Sequence, residues 1–240
     1  MQTSLQQFAE TQSSDAFALQ NSKLLKVRLD AGTIQAKLGS MVAYQGDVSF
    51  EHAGSGGMGR LLKKAVTGEG TSLMKMSGTG EVFLADLAQD VHLLQLDNEK
   101  ITVNGPNLLA FDADIDWDIE RVKGASAMMG GGLFNTTLKG SGFVAIVSDG
   151  PPVMLDVASA PTFADAQAAI TWSEGVSTSI RTDFKLVKNL TGRGSGETVQ
   201  MAFSGSGWVL VQPSEGRVEA AGGNSGGGGG GGVLGNLLNG

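Results

Sequence analysis

The chain has 240 residues, of which 41% are hydrophobic, with a formal net charge of −7 at pH 7 and no cysteine. This length suits one large β domain or two small ones, and the lack of cysteine excludes disulfides, thiolate metal ligands and cysteine nucleophiles. Because binding to nucleic acid without sequence preference depends mainly on Lys and Arg neutralising phosphates, the acidic balance argues against a general DNA or RNA binder.

The first 22 residues carry neither the basic start nor the apolar stretch of a secretory signal, and we expect residues 1–22 to form a flexible segment. No stretch of the chain approaches the roughly 18 apolar residues that a spanning helix needs. These two observations favour a cytoplasmic protein with no transmembrane segment.

Alternating apolar and polar residues predict the first strands. Residues 24–29 alternate with a period of two, which is typical of a strand with one buried face, and residues 33–38 predict a second strand. The intervening residues 30–32 predict a turn. Later, residues 60–66 predict a helix of about two turns, because a Gly-rich loop precedes them and Gly68 follows as a C-cap.

An aromatic-ended stretch occurs three times, in residues 39–50, 106–117 and 161–172. Each copy begins with a turn-forming residue and closes on a large aromatic one. The closing aromatic residues are Phe50, Trp117 and Trp172.

A second signature, Gly-X-Gly followed by a Val-containing strand, also occurs three times. Glycine adopts positive φ without strain, so each copy predicts a tight hairpin turn. A dinucleotide site would need a helix after the glycines, whereas strands follow them here. The glycines are Gly78, Gly80, Gly140, Gly142, Gly205 and Gly207.

The two signatures alternate in constant order at intervals of about 60 residues, which indicates an internal repeat. We therefore predict an all-β fold with one or two short helices and three tandem modules around a pseudo-threefold axis. The modules cover about 23–88, 89–150 and 151–213 within a domain of residues 23–213. Residues 214–240, which include an unbroken glycine run, predict a disordered tail.

The signatures together resemble a known family, named for altered inheritance of mitochondria. The resembling residues are 39–46 (GSMVAYQG), 131–142 (GGLFNTTLKGSG) and 203–213 (FSGSGWVLVQP), and the resemblance covers about 24–213. It implies three short double-stranded β-helix or β-sandwich modules, similar to the module of the tryptophan RNA-binding attenuation protein. It also implies self-association into a homotrimer or ring, and it supplies no catalytic residues.

Two groups of residues could carry chemistry. Asp112, Asp114, Asp116 and Asp118 alternate as calcium ligands do. However, the Gly and Glu of a calcium loop are missing, so we favour a solvated strand face and no metal. The two histidines, His52 and His92, could serve a hydrolase, but neither has a recognisable motif, and we interpret both as structural.

Basic residues precede two of the Gly-X-Gly sites and could line one rim of a ring. We favour an ordinary solvated surface for them, because acidic residues dilute the charge. We therefore predict a non-enzymatic oligomeric scaffold or assembly protein without a cofactor, whose partner is itself. The alternative is a ring that binds a ligand or RNA through this rim. The rim residues are Arg60, Lys63, Lys64, Arg181, Lys185 and Lys188.

Overall fold

The computed structural model describes residues 4–52, 72–121, 134–181 and 200–214. These residues are almost entirely β, with short 3-10 helices at Ser4–Phe8 and Gly105–Asn107, and the all-β prediction is confirmed. The helix predicted at 60–66 and the tail beyond residue 214 lie outside the described residues. The strands are β1 Phe17–Asn21, β2 Leu24–Lys37, β3 Met41–His52, β4 Leu73–Leu84, β5 Asp90–Asn104, β6 Leu108–Asp112, β7 Asp116–Arg121, β8 Phe134–Ser148, β9 Val153–Asp156, β10 Thr162–Asp165, β11 Ala169–Ser173, β12 Val176–Arg181, β13 Gln200–Gly205 and β14 Trp208–Val211.

Two antiparallel sheets make up the described fold. The larger has eleven strands in the order β3-β4-β2-β6-β8-β5-β11-β14-β9, with β1 added beside β2 and β7 beside β8. The smaller has the order β10-β13-β12. The large sheet therefore ends at β3 on one side, and the small sheet ends at β10.

β2 is a single strand, so the turn predicted at residues 30–32 is wrong. Asp30 pairs with Thr79 and Gly32 pairs with Gly78, which leaves Ala31 as an extra residue at a φ of 52°. This is a β-bulge, which bends a strand without ending it. The turn-forming residues mark a bend inside one long strand.

The Gly-X-Gly sites are not hairpin turns either. The first lies inside β4 and the second inside β8, and the third separates β13 from β14. The glycines are needed because two backbones come very close. A Cβ on Gly80 would lie 2.1 Å from the Gln45 carbonyl oxygen, and one on Gly205 would lie 2.2 Å from the Gly175 carbonyl oxygen.

Part of the segment predicted to be flexible belongs to the sheet. Phe17–Asn21 forms β1, whose Phe17 pairs with Val27 of β2. The ring of Phe17 is buried and stacks on Phe143, with centroids 5.5 Å apart. This strand is held because its aromatic residue completes the core on one side of β2.

The described residues form three hydrophobic core clusters. One contains Val82, the next contains Val144 and the last contains Val209. Each of these valines follows the second glycine of a Gly-X-Gly site by two residues and is fully buried. The signature thus places an equivalent apolar side chain in each cluster.

Candidate functional site: an open sheet edge with an exposed aromatic pair

Three aromatic pairs recur with nearly the same geometry. In each pair the rings meet edge to face, an arrangement that the quadrupoles of aromatic rings favour. The pairs are Tyr44–Phe50 (centroids 5.1 Å apart, planes at 70°), Phe111–Trp117 (6.3 Å, 68°) and Trp172–Phe203 (5.6 Å, 69°).

The first ring of each pair lies opposite the equivalent valine. The partners across the sheet are Tyr44 and Val82, Phe111 and Val144, and Trp172 and Val209. Since all three valines hold the same position relative to a Gly-X-Gly site, the three aromatic residues are structural counterparts.

This register corrects the predicted frame of the third copy. The sequence pattern aligns Trp172 with Phe50 and Trp117. In the structure, however, Phe50 lies opposite Met76 and Trp117 lies opposite Leu138, and both partners precede a Gly-X-Gly site by two residues. The residue at that position in the third copy is Phe203, which lies opposite Thr178. The second aromatic ring has therefore moved to the facing strand.

The three pairs differ sharply in exposure. Phe111 is 0% exposed and Trp172 is 4% exposed, whereas Tyr44 is 49% exposed and its partner Phe50 is 38% exposed. The aromatic pair is therefore part of the core in the second and third copies, whereas in the first copy it lies on the surface.

The exposed pair lies on an edge strand. Among the strands that the structure describes, β3 pairs with β4 on one side and ends the large sheet on the other. Val42 on the same strand is 59% exposed. A long edge strand with exposed apolar side chains offers unpaired backbone groups and apolar surface to another chain. We call Val42, Tyr44 and Phe50 the β3 edge patch.

His92 has a serine partner that the sequence did not indicate. Its Nε2 atom lies 2.7 Å from Ser148 Oγ, and that hydroxyl donates to the Gly150 carbonyl oxygen at 2.7 Å. Ser148 is completely buried. Asp90, the acidic residue nearest to His92 on β5, forms an ion pair with Lys23 at 2.6 Å. A nucleophile must reach its substrate, so this arrangement fits a structural link between β5 and β8.

Burial lowers the pKa of His92, although the nearby Asp90 carboxylate opposes the shift. The imidazole is therefore held in its neutral form, which suits a hydrogen bond to a buried hydroxyl. The side chain of His52, the other histidine, lies outside the described residues.

The four alternating aspartates do not share one environment. Asp112 is half-buried and accepts a hydrogen bond from the Phe143 backbone N–H at 2.6 Å. Burial raises the pKa of Asp112, against the effect of that hydrogen bond. Asp114, Asp116 and Asp118 are exposed. Among residues 4–52, 72–121, 134–181 and 200–214, no group of three or more His, Cys, Asp or Glu is placed to hold a metal ion.

One member of the predicted basic rim can be located. The guanidinium carbon of Arg181 lies 5.1 Å from the centroid of the Phe163 ring, and Phe163 on β10 is 44% exposed. A cation over an aromatic face is stabilised by the ring quadrupole. Arg60, Lys63, Lys64, Lys185 and Lys188 lie outside the described residues, so the rim stays a prediction.

Lys26 is a buried cation that alternation alone did not reveal. Its side chain forms ion pairs with Glu10 and with Glu81, the latter at 2.8 Å, and donates to the Thr11 carbonyl oxygen at 3.1 Å. Burial lowers the pKa of Lys26, but the hydrogen bonds to the two carboxylates outweigh it, and the net shift is upward. Alternation predicts an outward side chain, and residues 10–11 then cover it.

The fold and the open edge define an all-β protein built from recurring aromatic pairs. A family model described as mitochondrial biogenesis AIM24 matches residues 17–214, and the chain belongs to this family. A search of curated proteins found no match. No helix among the described residues is long and apolar enough to cross a membrane.

Several solved chains are similar to this one. One of them is the crystal structure of a Streptococcus pyogenes protein from a structural genomics consortium, with a TM-score of 0.67 and 23% identity. The match covers 82% of this chain and 92% of the other. At this identity the likeness concerns the fold alone.

Proposed function

We propose that the protein is a non-enzymatic scaffold that works as a homo-oligomer, as a homotrimer or a larger ring. The observation that carries the proposal is the β3 edge patch. Tyr44 and Phe50 form the same edge-to-face pair that is buried at the two other places, yet in a single chain they are 49% and 38% exposed. A surface built like the core is best explained by a neighbour that covers it.

The environments of the polar candidates favour the non-enzymatic part of the proposal. Ser148, which contacts His92, is fully buried, and Asp112 accepts its hydrogen bond from backbone. Both contacts link strands of the large sheet. We also propose that the three modules, about 23–88, 89–150 and 151–213, resemble short β-helix units, as the recurring pairs suggest. A cytoplasmic location is part of the same proposal.

Native mass spectrometry of the protein, purified from its own host without stripping bound material, tests the proposal. We expect a discrete oligomer with no adduct. A monomer at micromolar concentration would contradict the scaffold. A bound small molecule or nucleotide at full occupancy would favour the alternative, a ligand- or RNA-binding ring with a basic rim.

A further inference from the structure

The chain contains two junctions in which one repeat unit adds a strand to the next. At the first, the second half of β2 pairs with β6, so that Gln35 lies opposite Phe111. At the second, the end of β5 pairs with β11, so that Thr102 lies opposite Trp172. Phe111 and Trp172 are the counterparts defined by Val144 and Val209, so both junctions dock a strand against the same aromatic position.

The docking strands are counterparts too. Gln35 pairs with Lys75 and Thr102 pairs with Thr137. Lys75 and Thr137 each lie three residues before the first glycine of their Gly-X-Gly site. The two junctions therefore share one register on both sides.

The two strands that a third junction would need are present in the described part of the chain, but they do not pair with each other. Phe163 of β10 pairs with Ala202, three residues before Gly205, and is thus the counterpart of Gln35 and Thr102. Tyr44 of β3 is the counterpart of Phe111 and Trp172. In the described part of the chain β10 and β3 are the outer strands of separate sheets, and Tyr44 and Phe163 are 49% and 44% exposed.

We propose that β10 of one copy of this chain pairs antiparallel with β3 of a second copy, with Phe163 opposite Tyr44. The register of the two internal junctions also places Thr162 opposite Gln45 and Ala164 opposite Ala43. The contact would cover both exposed rings and would form an aromatic pair across the strands, which stabilises sheets. This inference rests on the proposed function and names the surface through which the scaffold assembles.

The interface is head to tail, because each copy offers β10 to one neighbour and β3 to another. Such contacts close into a ring when the rotation between copies closes, and otherwise propagate. A second copy, rather than the same chain, is the partner because each single chain leaves both rings exposed.

The absence of cysteine permits a direct test. Antiparallel partners have Cα atoms about 4.5–5.5 Å apart, which a disulfide spans. We would co-express or mix and refold the single variants Tyr44→Cys and Phe163→Cys, oxidise the mixture and run it on a non-reducing gel. The mixture should give a disulfide-linked dimer, and each variant alone should stay monomeric on the gel.

The matched control replaces Phe163→Cys by Val153→Cys. Val153 is 53% exposed and lies on β9, the other end of the large sheet, so its mixture with Tyr44→Cys should yield no dimer. The double variant Tyr44→Cys/Phe163→Cys should give a ladder of linked copies. A dimer from Tyr44→Cys alone, or a double variant that oxidises only within single chains, would overturn the proposal.

The oligomeric state of the unmodified protein distinguishes a failure of this inference from a failure of the proposed function. If it is oligomeric but the mixed variants never cross-link, the β10–β3 interface is wrong and the scaffold survives. If it is monomeric, both fall. Tyr44→Lys provides a second readout: we expect its mass to drop to that of a monomer while its far-UV circular dichroism stays that of a folded β protein. Retention of the full assembly by this variant would contradict the interface.

Discussion

The rings of Trp172 and Phe203 meet edge to face with their centroids 5.6 Å apart, although their strands belong to two different sheets. Trp172 lies on β11 and Phe203 lies on β13. In the two other pairs both rings lie on one segment of the chain, six positions apart. The third copy therefore keeps the same ring-to-ring geometry, although its second ring comes from a different strand than in the two other copies.

Truncation of Phe203 should be far more costly than truncation of Phe50. Phe203 is 2% exposed and Phe50 is 38% exposed, yet each forms the same kind of ring pair. Phe203→Ala should lower the free energy of unfolding by about 3–5 kcal/mol, the usual cost of a buried Phe. In the dissociated chain, Phe50→Ala should cost about 1 kcal/mol, the order of an aromatic pair alone.

Denaturant unfolding at one fixed protein concentration, low enough that copies do not assemble, measures both values, since assembly itself shifts stability. Equal losses for the two variants would show that the β3 edge patch is already covered under those conditions. They would also place Phe50 in an interface.

The all-β class followed from the sequence because alternation with period two is a local signal. Residues 24–29 alternate, and both this segment and the second predicted strand, except its last residue Leu38, lie in β2. The Gly-X-Gly sites were also visible, but their role was not. A glycine in a hairpin and a glycine beneath a crossing carbonyl have the same local sequence, and only the position of Gln45 over Gly80 distinguishes them.

The candidate site was predicted only in part. Phe50, Trp117 and Trp172 were selected as one signature, but the aromatic partner of Trp172 lies on a distant strand. Counting residues along the chain cannot reveal this, because register depends on which strands pair. The exposure of Tyr44 was equally hidden, since an edge strand and a central strand can carry the same pattern.

Close backbone approach predicts unequal effects for two otherwise similar glycines. Gly80 has a φ of 157° and Gly140 has a φ of 139°, so alanine strains the backbone at both positions. A Cβ on Gly80 would meet the Gln45 carbonyl oxygen at 2.1 Å, whereas one on Gly140 would find its nearest neighbour, Ile115 Cα, at 3.7 Å. Gly80→Ala should therefore be less stable than Gly140→Ala by about 1–3 kcal/mol, the cost of overpacking.

Thermal and denaturant unfolding of the two glycine variants give this difference directly. Because the strain of positive φ is shared, it cancels in the comparison. If the two variants lose the same stability, the preference of glycine for positive φ alone accounts for glycine at both positions. The close contact between β3 and β4 would then make no separate contribution at Gly80.

Lys26 should be far less replaceable than Lys23. The side chain of Lys26 is 5% exposed and joins Glu10 to Glu81, while that of Lys23 is 45% exposed and pairs with Asp90. Lys26→Met should cost about 2 kcal/mol, because hydrogen bonds to charged groups are lost and two carboxylates remain side by side. Lys23→Met should cost at most about 1 kcal/mol, as exposed ion pairs do.

Salt gives a second readout for the lysines. Partly buried pairs are screened less than exposed ones, so the loss caused by Lys26→Met should persist at high ionic strength, while that caused by Lys23→Met should shrink. A Lys26→Met protein as stable as the parent would show that apolar packing replaces this ion pair without cost.

The neutral state of His92 predicts a loss of stability in mild acid. Burial lowers the pKa of His92 in the folded chain below its usual value, so the unfolded chain binds more protons between the two pKa values. Stability then rises with pH in this window. It should fall as the pH drops below about 6.5, the ordinary pKa of histidine.

His92→Gln tests this dependence, because glutamine does not titrate but can still hydrogen-bond the Ser148 hydroxyl. The free energy of unfolding should be measured for both proteins at about pH 7.5 and about pH 5.5, on either side of the ordinary histidine pKa. The decrease in the free energy of unfolding between the two pH values should be smaller in the variant. The two charged groups that lie near His92, which are Asp90 and Lys23, are the same in both proteins. An identical decrease in both proteins would assign the acid sensitivity to other groups and remove the link between the burial of His92 and stability.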